Sequence, residues 1–265
     1  MDEQKTDANS IDLISRVKRL YNAVLFPGRL TPENTLAIRA AALSVLADVL
    51  ASDYLNRWNN AGAEELKRAK EAVKEALNID PGIPLAHYAD GFIHRAKGEH
   101  QAASDAFDRA ITHDPEFARA YAQKATEQIN LGYPDRAQDL VEKAIELSPH
   151  DSSLGVFYWI LGRAQFFAGH YPEAIPYLEK SIEWRPNLWY NRLYLASAHA
   201  LADDEDDAKR VLTAFQNHPF FRDRRFTVAV IASEFESANP SNNPFVIEAR
   251  EKFHRGLVKA GMDEQ

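Results

Sequence analysis

The chain has 265 residues, of which 45% are hydrophobic and 26% charged, so the composition excludes disordered and collagen-like classes. It contains no cysteine, which excludes disulfides, thiolate zinc sites and cysteine nucleophiles and favours a reducing cytoplasm. The formal net charge of −8 opposes binding to the phosphate backbone of nucleic acids.

The first predicted elements are helices in an N-terminal region covering residues 1–49. The segment 11–25 has the spacing of an amphipathic helix, and its apolar face consists of Ile11, Ile14, Val17, Leu20, Tyr21 and Val24. Thr31-Pro32-Glu33 is typical of a helix start, and no breaker follows before Trp58. The first 25 residues lack the basic leader of a secretory signal, and no apolar run reaches the roughly 18 to 20 residues of a membrane span, so we expect no membrane insertion.

A repeat follows, with a period near 34 residues. Three series of residues share this spacing: Pro81, Pro115, Pro149 and Pro186; Ala69, Ala103, Ala137, Ala174 and Ala208; and Gly91, Ala125, Gly162 and Ala196. Each alanine of the second series is followed four residues later by an apolar side chain: Val73, Phe107, Val141, Leu178 and Leu212. Three independent series on one period indicate a repeat architecture.

Each repeat unit has room for two helices, because it holds two stretches of about 12 to 14 residues with helical apolar spacing. The prolines mark the helix ends, since proline cannot continue a helix. A short helical hairpin cannot bury its apolar face alone, so neighbouring hairpins must stack. The sequence therefore predicts an all-α fold, an α-solenoid of about five stacked hairpins with flanking helices. The predicted units are 50–83, 84–117, 118–151, 155–188 and 189–222.

This pattern resembles the tetratricopeptide repeat. Tyr121 and Tyr158 stand where that repeat has its first aromatic residue, and Leu161-Gly162 matches its Leu-Gly pair. Glycines also occupy the turn between the two helices, at Gly98, Gly132 and Gly169. The resemblance implies a right-handed superhelix whose first helices line a concave groove, and a protein that binds other proteins rather than an enzyme.

A narrower resemblance concerns three segments, Asp53–Trp58, Arg185–Trp189 and Gly256–Met262. They look like the C-terminal repeat regions of bacterial proteins that carry a nucleotide cyclase or a winged-helix regulator. This resemblance implies a bacterial source and an alternative function, a regulatory or sensor module for a separately encoded cyclase or transcription regulator. The residues before the repeats are too few for either domain, so we do not expect cyclase or DNA-binding activity here.

After Pro219 the period ends, and residues 223–265 predict a C-terminal cap. The segment Phe226–Ile231 is compatible with helix or extended structure. Asn239–Pro244 is a clear break, and the amphipathic pattern after it predicts a final helix at about 245–260. Because repeat arrays need polar-faced caps, we expect this helix to seal the end of the stack.

Patterns of catalytic or metal-binding chemistry are absent from the sequence. The nine histidines include no H-E-x-x-H motif and no pair at i, i+4 spacing, so we expect no metal site and no cofactor. The acidic run Asp203–Asp207 lacks the glycine and ligand spacing of a calcium loop, and its position before a helix favours a role as helix-end charge. No phosphate loop or nucleophile elbow occurs, so we expect no catalytic residue.

Candidate ligand-binding residues follow from the repeat resemblance, which places the first helices along the groove. They are Tyr88, Phe92, Arg95, Arg119, Gln123, Trp159, Arg163, Phe166, Tyr190 and Tyr194. Aromatic residues and arginine are enriched at binding hot spots, so the groove predicts a non-catalytic scaffold for a peptide or protein segment. A structural alternative for several of them is contact between adjacent helices. A further hypothesis is that residues 11–25 fold back into the groove.

Overall fold

The computed structural model describes residues 32–56, 62–150, 152–219 and 226–265. These residues form α-helices, one short 3₁₀ turn (Pro134–Arg136) and no strand, which confirms the all-α prediction. The helices are α1 (Pro32–Asn56), α2 (Ala63–Ile79), α3 (Pro84–Ala96), α4 (His100–His113), α5 (Ala118–Asn130), α6 (Ala137–Leu147), α7 (Leu154–Ala168), α8 (Tyr171–Trp184), α9 (Trp189–Leu201), α10 (Glu205–Gln216), α11 (Val228–Ala238) and α12 (Pro244–Lys259).

The first ten helices pair into five hairpins, α1–α2 to α9–α10, and each hairpin contacts the next. The helices α2, α4, α6 and α8 each end two residues before one of the periodic prolines. This confirms that proline fixes the ends of the second helices, because its ring and missing N–H cannot continue them.

Close approach within a hairpin depends on the small residues of the first helix. A Cβ placed on Gly91 would lie 2.5 Å from the ring of Phe107, and one on Gly162 would lie 2.7 Å from Cγ of Leu178. The periodic alanines of the second helices are fully buried: Ala69, Ala103, Ala137, Ala174 and Ala208. The two small-residue series, one on the first helices and one on the second helices, therefore lie at the contact between the two helices of a hairpin, whereas the four periodic prolines are exposed.

The turn inside each of the last four hairpins has a residue with a left-handed backbone. Gly98, Gly132 and Gly169 have φ of 73°, 89° and 85°, a region that glycine adopts without steric cost. In the last hairpin Asp203 takes this place with φ of 62° and forms an ion pair with Lys259 of α12 at 2.5 Å. Aspartate tolerates this conformation better than most residues.

The first hairpin begins earlier than residue 50, because α1 runs from Pro32 to Asn56 and pairs with α2 along its length. Its outer face leaves Leu36, Leu46 and Val49 exposed. The window 35–55 has the length and mean hydropathy of a membrane-crossing helix, with 28% of it buried. A core helix of a soluble protein passes the same test, so this finding is weak evidence for a span.

The last two helices fold back onto the array. α12 packs against α9 and α7, while α11 contacts α1 at the opposite end of the array. The backbone N–H groups of Val228 and Ala229, at the start of α11, donate to the carbonyls of Asp263 and Glu264 at 2.9 and 3.1 Å. The C-terminal region thus closes on itself and bridges the two ends of the stack.

Candidate interaction groove

Helix α12 lies against the first helices that line the concave face. The ring of Phe253 stacks on Tyr194 with centroids 4.3 Å apart and meets Phe166 edge-on at 6.1 Å. The hydroxyl of Ser197 donates to the carbonyl of Phe253 at 2.9 Å. This approach requires Gly256, since a Cβ there would lie 2.1 Å from the Ser197 hydroxyl oxygen. In the last two hairpins, α12 therefore covers the faces of α7 and α9 that carry Phe166 and Tyr194.

The link between α11 and α12, residues 239–243, crosses two successive hairpin turns; we call it the strap. Pro240 lies over Gly98, where a Cβ would be 3.0 Å from the Pro240 carbonyl oxygen. Asn243 lies over Gly132 and donates its side-chain N–H to the carbonyl of Leu131 at 2.8 Å. Glycine at these turns serves the backbone conformation and also makes room for the strap.

Beneath the strap is a buried polar cluster centred on Glu127, which is fully buried. One of its oxygens accepts from Arg95 Nε, and the other lies 2.8 Å from His100 Nδ1. The second ring nitrogen of His100 lies 2.8 Å from the Pro240 carbonyl. Because both partners of His100 are acceptors, both bonds form together only when each ring nitrogen carries a proton.

The charge state of Glu127 follows from these partners. Burial alone raises the pKa of this carboxyl, but the neighbouring Arg95 and His100 lower it further than burial raises it, so the net pKa is below the ordinary value of 4.5. Glu127 is therefore ionised at neutral pH and holds helices α3, α4 and α5 together through charged hydrogen bonds.

Asn130 joins this cluster to the strap and to Arg163. Its amide and that of Asn239 donate to each other, at 3.3 and 2.9 Å. Arg163 donates to the Asn130 carbonyl oxygen at 2.7 Å, and its guanidinium lies over the rings of Phe167 and Trp159 at 4.7 and 5.6 Å. Burial lowers the pKa of Arg163, and the nearby Arg250 and Arg95 act in the same direction.

Four of the ten predicted groove residues remain accessible, on the first helices α5, α7 and α9, and we call these four residues the strip. Arg119 is exposed, and Gln123, Trp159 and Tyr190 are half-buried. Trp159 and Tyr190 contact each other with centroids 4.7 Å apart. Burial raises the pKa of the Tyr190 phenol to about 12. The indole N–H of Trp159 is buried and has no hydrogen-bond acceptor among the described residues.

The other six predicted groove residues are buried: Tyr88, Phe92, Arg95, Arg163, Phe166 and Tyr194. Tyr88 and Phe92 pack in an aromatic group with Phe107, with centroids between 4.9 and 5.8 Å apart. Their contacts are the ones expected of residues between adjacent helices. The hypothesis that residues 11–25 enter the groove lies outside the described residues.

The contacts of α12 and the strap with the hairpins could not be predicted from the sequence. The periodic pattern identifies Phe253 as apolar and the segment 239–244 as a break, but it does not say that both touch hairpins more than 50 residues away. The contact between Asn130 and Asn239 could not be predicted from the sequence either, because neither residue belongs to a periodic series.

One group of potential metal ligands occurs in the described part of the chain, formed by His199, Asp204 and Asp207 within 4.8 Å of one another. Each already has a role. The Asp204 side chain caps α10 by accepting from the Asp207 backbone N–H at 3.4 Å, and it lies 3.0 Å from His199 Nδ1. Asp207 accepts from Arg210 at 2.6 Å. The acidic run therefore caps α10 and places negative charge at its N-terminus, as predicted from its position.

Comparison with known proteins identifies the repeats. The family model of the tetratricopeptide repeat matches residues 118–151 and 156–188, so the chain contains repeats of this type. No curated protein matches the chain in sequence. The similarity to cyclase-linked or winged-helix regulators is not shown by these comparisons.

Solved structures share the fold at low sequence identity. PilW, described as a widely conserved type IV pilus biogenesis factor, is 19% identical, covers 81% of this chain and 91% of its own, and has a TM-score of 0.60. PilF of Pseudomonas aeruginosa is 18% identical, with 83% and 91% covered and a TM-score of 0.58. MamA of Desulfovibrio magneticus is 18% identical, with 69% and 98% covered and a TM-score of 0.51. At these identities the likeness concerns the fold alone.

Proposed function

We propose that the protein is a non-catalytic scaffold of the cytoplasm that binds a peptide or protein segment along the concave face. Solenoids of this kind present extended concave surfaces for binding. The observation that supports the proposal is the accessibility of the strip, Arg119, Gln123, Trp159 and Tyr190, whose residues lie on three first helices that contact one another in sequence.

The chemistry of the strip suits a segment that offers apolar side chains and backbone carbonyls. Trp159 and Tyr190 supply large rings at small cost in side-chain entropy, and Arg119 and Gln123 donate hydrogen bonds. The ring of Tyr190 lies among apolar neighbours, as its raised pKa reflects. The partner therefore adds to a surface that the C-terminal helices leave open, and it does not need to expel α12.

The first prediction tests the strip by replacing both rings, Trp159→Ala with Tyr190→Ala. We expect the affinity for a partner identified by mass spectrometry after capture on the full chain to fall at least tenfold, because buried aromatic anchors dominate binding energy. Calorimetric titration with the purified partner measures the change.

A matched control is Trp184→Ala, since Trp184 is 50% exposed at the end of α8, a second helix. Thermal melting of each variant separates lost binding from lost folding. Where the alanine variant does not fold, the variant Trp159→Phe with Tyr190→Phe tests the same positions with aromatic rings retained. Equal affinity of the double variant and the wild type at equal stability would place the partner elsewhere.

A further inference from the structure

A buried arginine without an ion pair lies at the centre of the cluster beneath the strap. Arg163 is 5% exposed, and within the described residues it forms no salt bridge. Its contacts are the Asn130 amide oxygen, the Tyr194 hydroxyl and the faces of two rings. Burying a charge is costly unless the charge is paired, so this arrangement leaves part of the cost uncompensated.

The only carboxylate described in the cluster is already shared. Glu127 binds both Arg95 and His100, and the two hydrogen bonds of His100 require a proton on each ring nitrogen. With Arg163 added, two guanidinium groups and the ring of His100 face one carboxylate. We name Arg95, His100, Glu127, Asn130 and Arg163 the socket.

The strap covers this positively charged socket with neutral groups. It contributes the carbonyl of Pro240 to His100 and the amide of Asn239 to Asn130. Asn239 Nδ2 and Arg163 both donate to the same oxygen of Asn130, which places the Asn239 side chain beside the guanidinium. Asn239 and Pro240 are only half-buried, and Asn242 is exposed, so the strap is accessible from solvent.

We propose that the socket is a binding site for one carboxylate group, which replaces the Asn239 side chain over Asn130 and Arg163. A carboxylate accepts two hydrogen bonds from a guanidinium and neutralises its charge, which an amide cannot do. The group enters where the strap lifts, while α11 and α12 remain docked through their own buried residues. Its source is a free organic acid or an aspartate or glutamate of a peptide. The site is separate from the strip and its test involves no partner protein.

The first arm supplies the carboxylate within the chain, by Asn239→Asp. We expect the melting temperature at pH 7 to rise by roughly 2–4 °C, because pairing of the new charge with Arg163 outweighs the loss of the hydrogen bond that Asn239 Nδ2 donates to Asn130. The control is Asn242→Asp, which makes the same change of charge on an exposed strap residue and should leave the melting temperature unchanged. In an Arg163→Met background the gain from Asn239→Asp should disappear. A fall or no change with Asn239→Asp overturns the proposal.

The second arm supplies the carboxylate to the native chain, with sodium succinate or a blocked peptide Asp-Pro-Ser-Asn-Asn-Pro as the probe. We expect either probe to raise the melting temperature of the wild type beyond sodium chloride of equal ionic strength, but not that of Asn239→Asp, whose site is filled. Tighter binding of the peptide than of succinate identifies a peptide as the source, and equal binding identifies a free acid. The Asn-Pro-Ser-Asn-Asn-Pro peptide should bind at least tenfold more weakly than its aspartate counterpart. No response to either probe overturns the ligand site, whatever Asn239→Asp does.

Discussion

At the scale of single residues, Glu127 is the carboxylate on which the buried polar cluster is centred. It is fully buried, and its carboxylate joins α3, α4 and α5 through Arg95 and His100. Sequence reasoning selected Arg95 and Arg163 as groove residues but assigned no role to Glu127. A single carboxylate among many carries no periodic signal, and its importance arises only when two hairpins bring its partners within hydrogen-bond distance.

A second prediction follows for Glu127→Gln. Removing the charge leaves Arg95 buried without its counter-ion, so we expect the free energy of unfolding at pH 7 to fall by about 3–5 kcal/mol. Because the folded pKa of Glu127 lies below its ordinary value of 4.5, the carboxylate stabilises the fold above that pH. This contribution is lost as the pH falls through the folded pKa, so the gap between variant and wild type should narrow below about pH 4.5.

Urea unfolding at pH 7 and at several acidic pH values measures this gap. The control is Glu142→Gln on the exposed face of α6, which should change stability by less than about 0.5 kcal/mol. A constant gap between pH 7 and pH 3 would show that the charge of Glu127 is not what stabilises the cluster.

At the level of helices, the sequence predicted most of what the structure shows, because proline, glycine and alanine act locally. At the four periodic positions a proline follows the end of a helix, although Pro176 lies inside α8, and the 34-residue period places a small residue opposite a large one. The boundary of the first hairpin was less predictable. No glycine or proline interrupts α1 between Pro32 and Asn56, so no local signal separates the first helix of the repeat from the residues before it.

A third prediction concerns Gly91, whose missing side chain leaves space for the ring of Phe107. Gly91→Ala places a Cβ 2.5 Å from that ring, so overpacking should destabilise the fold by about 1–3 kcal/mol, offset in part by the roughly 1 kcal/mol higher helix propensity of alanine. Adding Phe107→Leu to Gly91→Ala removes the clash. The double variant should therefore be more stable than the sum of the two single changes predicts.

The measurement is a double-mutant cycle by chemical denaturation, and the stability difference between Glu142→Ala and Glu142→Gly on the exposed face of α6 is the control for helix propensity alone. An interaction energy near zero would mean that the ring moves aside without cost, and that this contact does not set the distance between α3 and α4.

At the level of the whole molecule, the C-terminal region adds contacts between parts of the array that are distant in sequence. An open stack of hairpins has contacts between neighbours alone, and damage then stays near its site. Here the strap touches the second and third hairpins, α12 packs on the last two, and α11 reaches α1. The sequence predicted an end cap for this region, because an amphipathic helix after a repeat has the same pattern whether it seals an end or fills a groove. Only long-range contacts distinguish the two arrangements.

The last prediction uses Phe253 to test this coupling. Phe253→Ala removes a fully buried ring from between Tyr194 and Phe166, at a cost of about 3–5 kcal/mol. Because α12 holds one end of the strap, its loosening should also release Asn243 from Leu131 and Pro240 from His100. Hydrogen exchange should therefore quicken in the turns at Gly98 and Gly132 as well as in α9, although these turns lie far along the chain from the substitution. The comparison is Leu212→Ala, which damages the last hairpin outside the groove and should affect mainly α9 and α10. Faster exchange confined to α9 and α12 in the Phe253 variant would mean that the strap holds its place independently and that the array behaves as a linear stack.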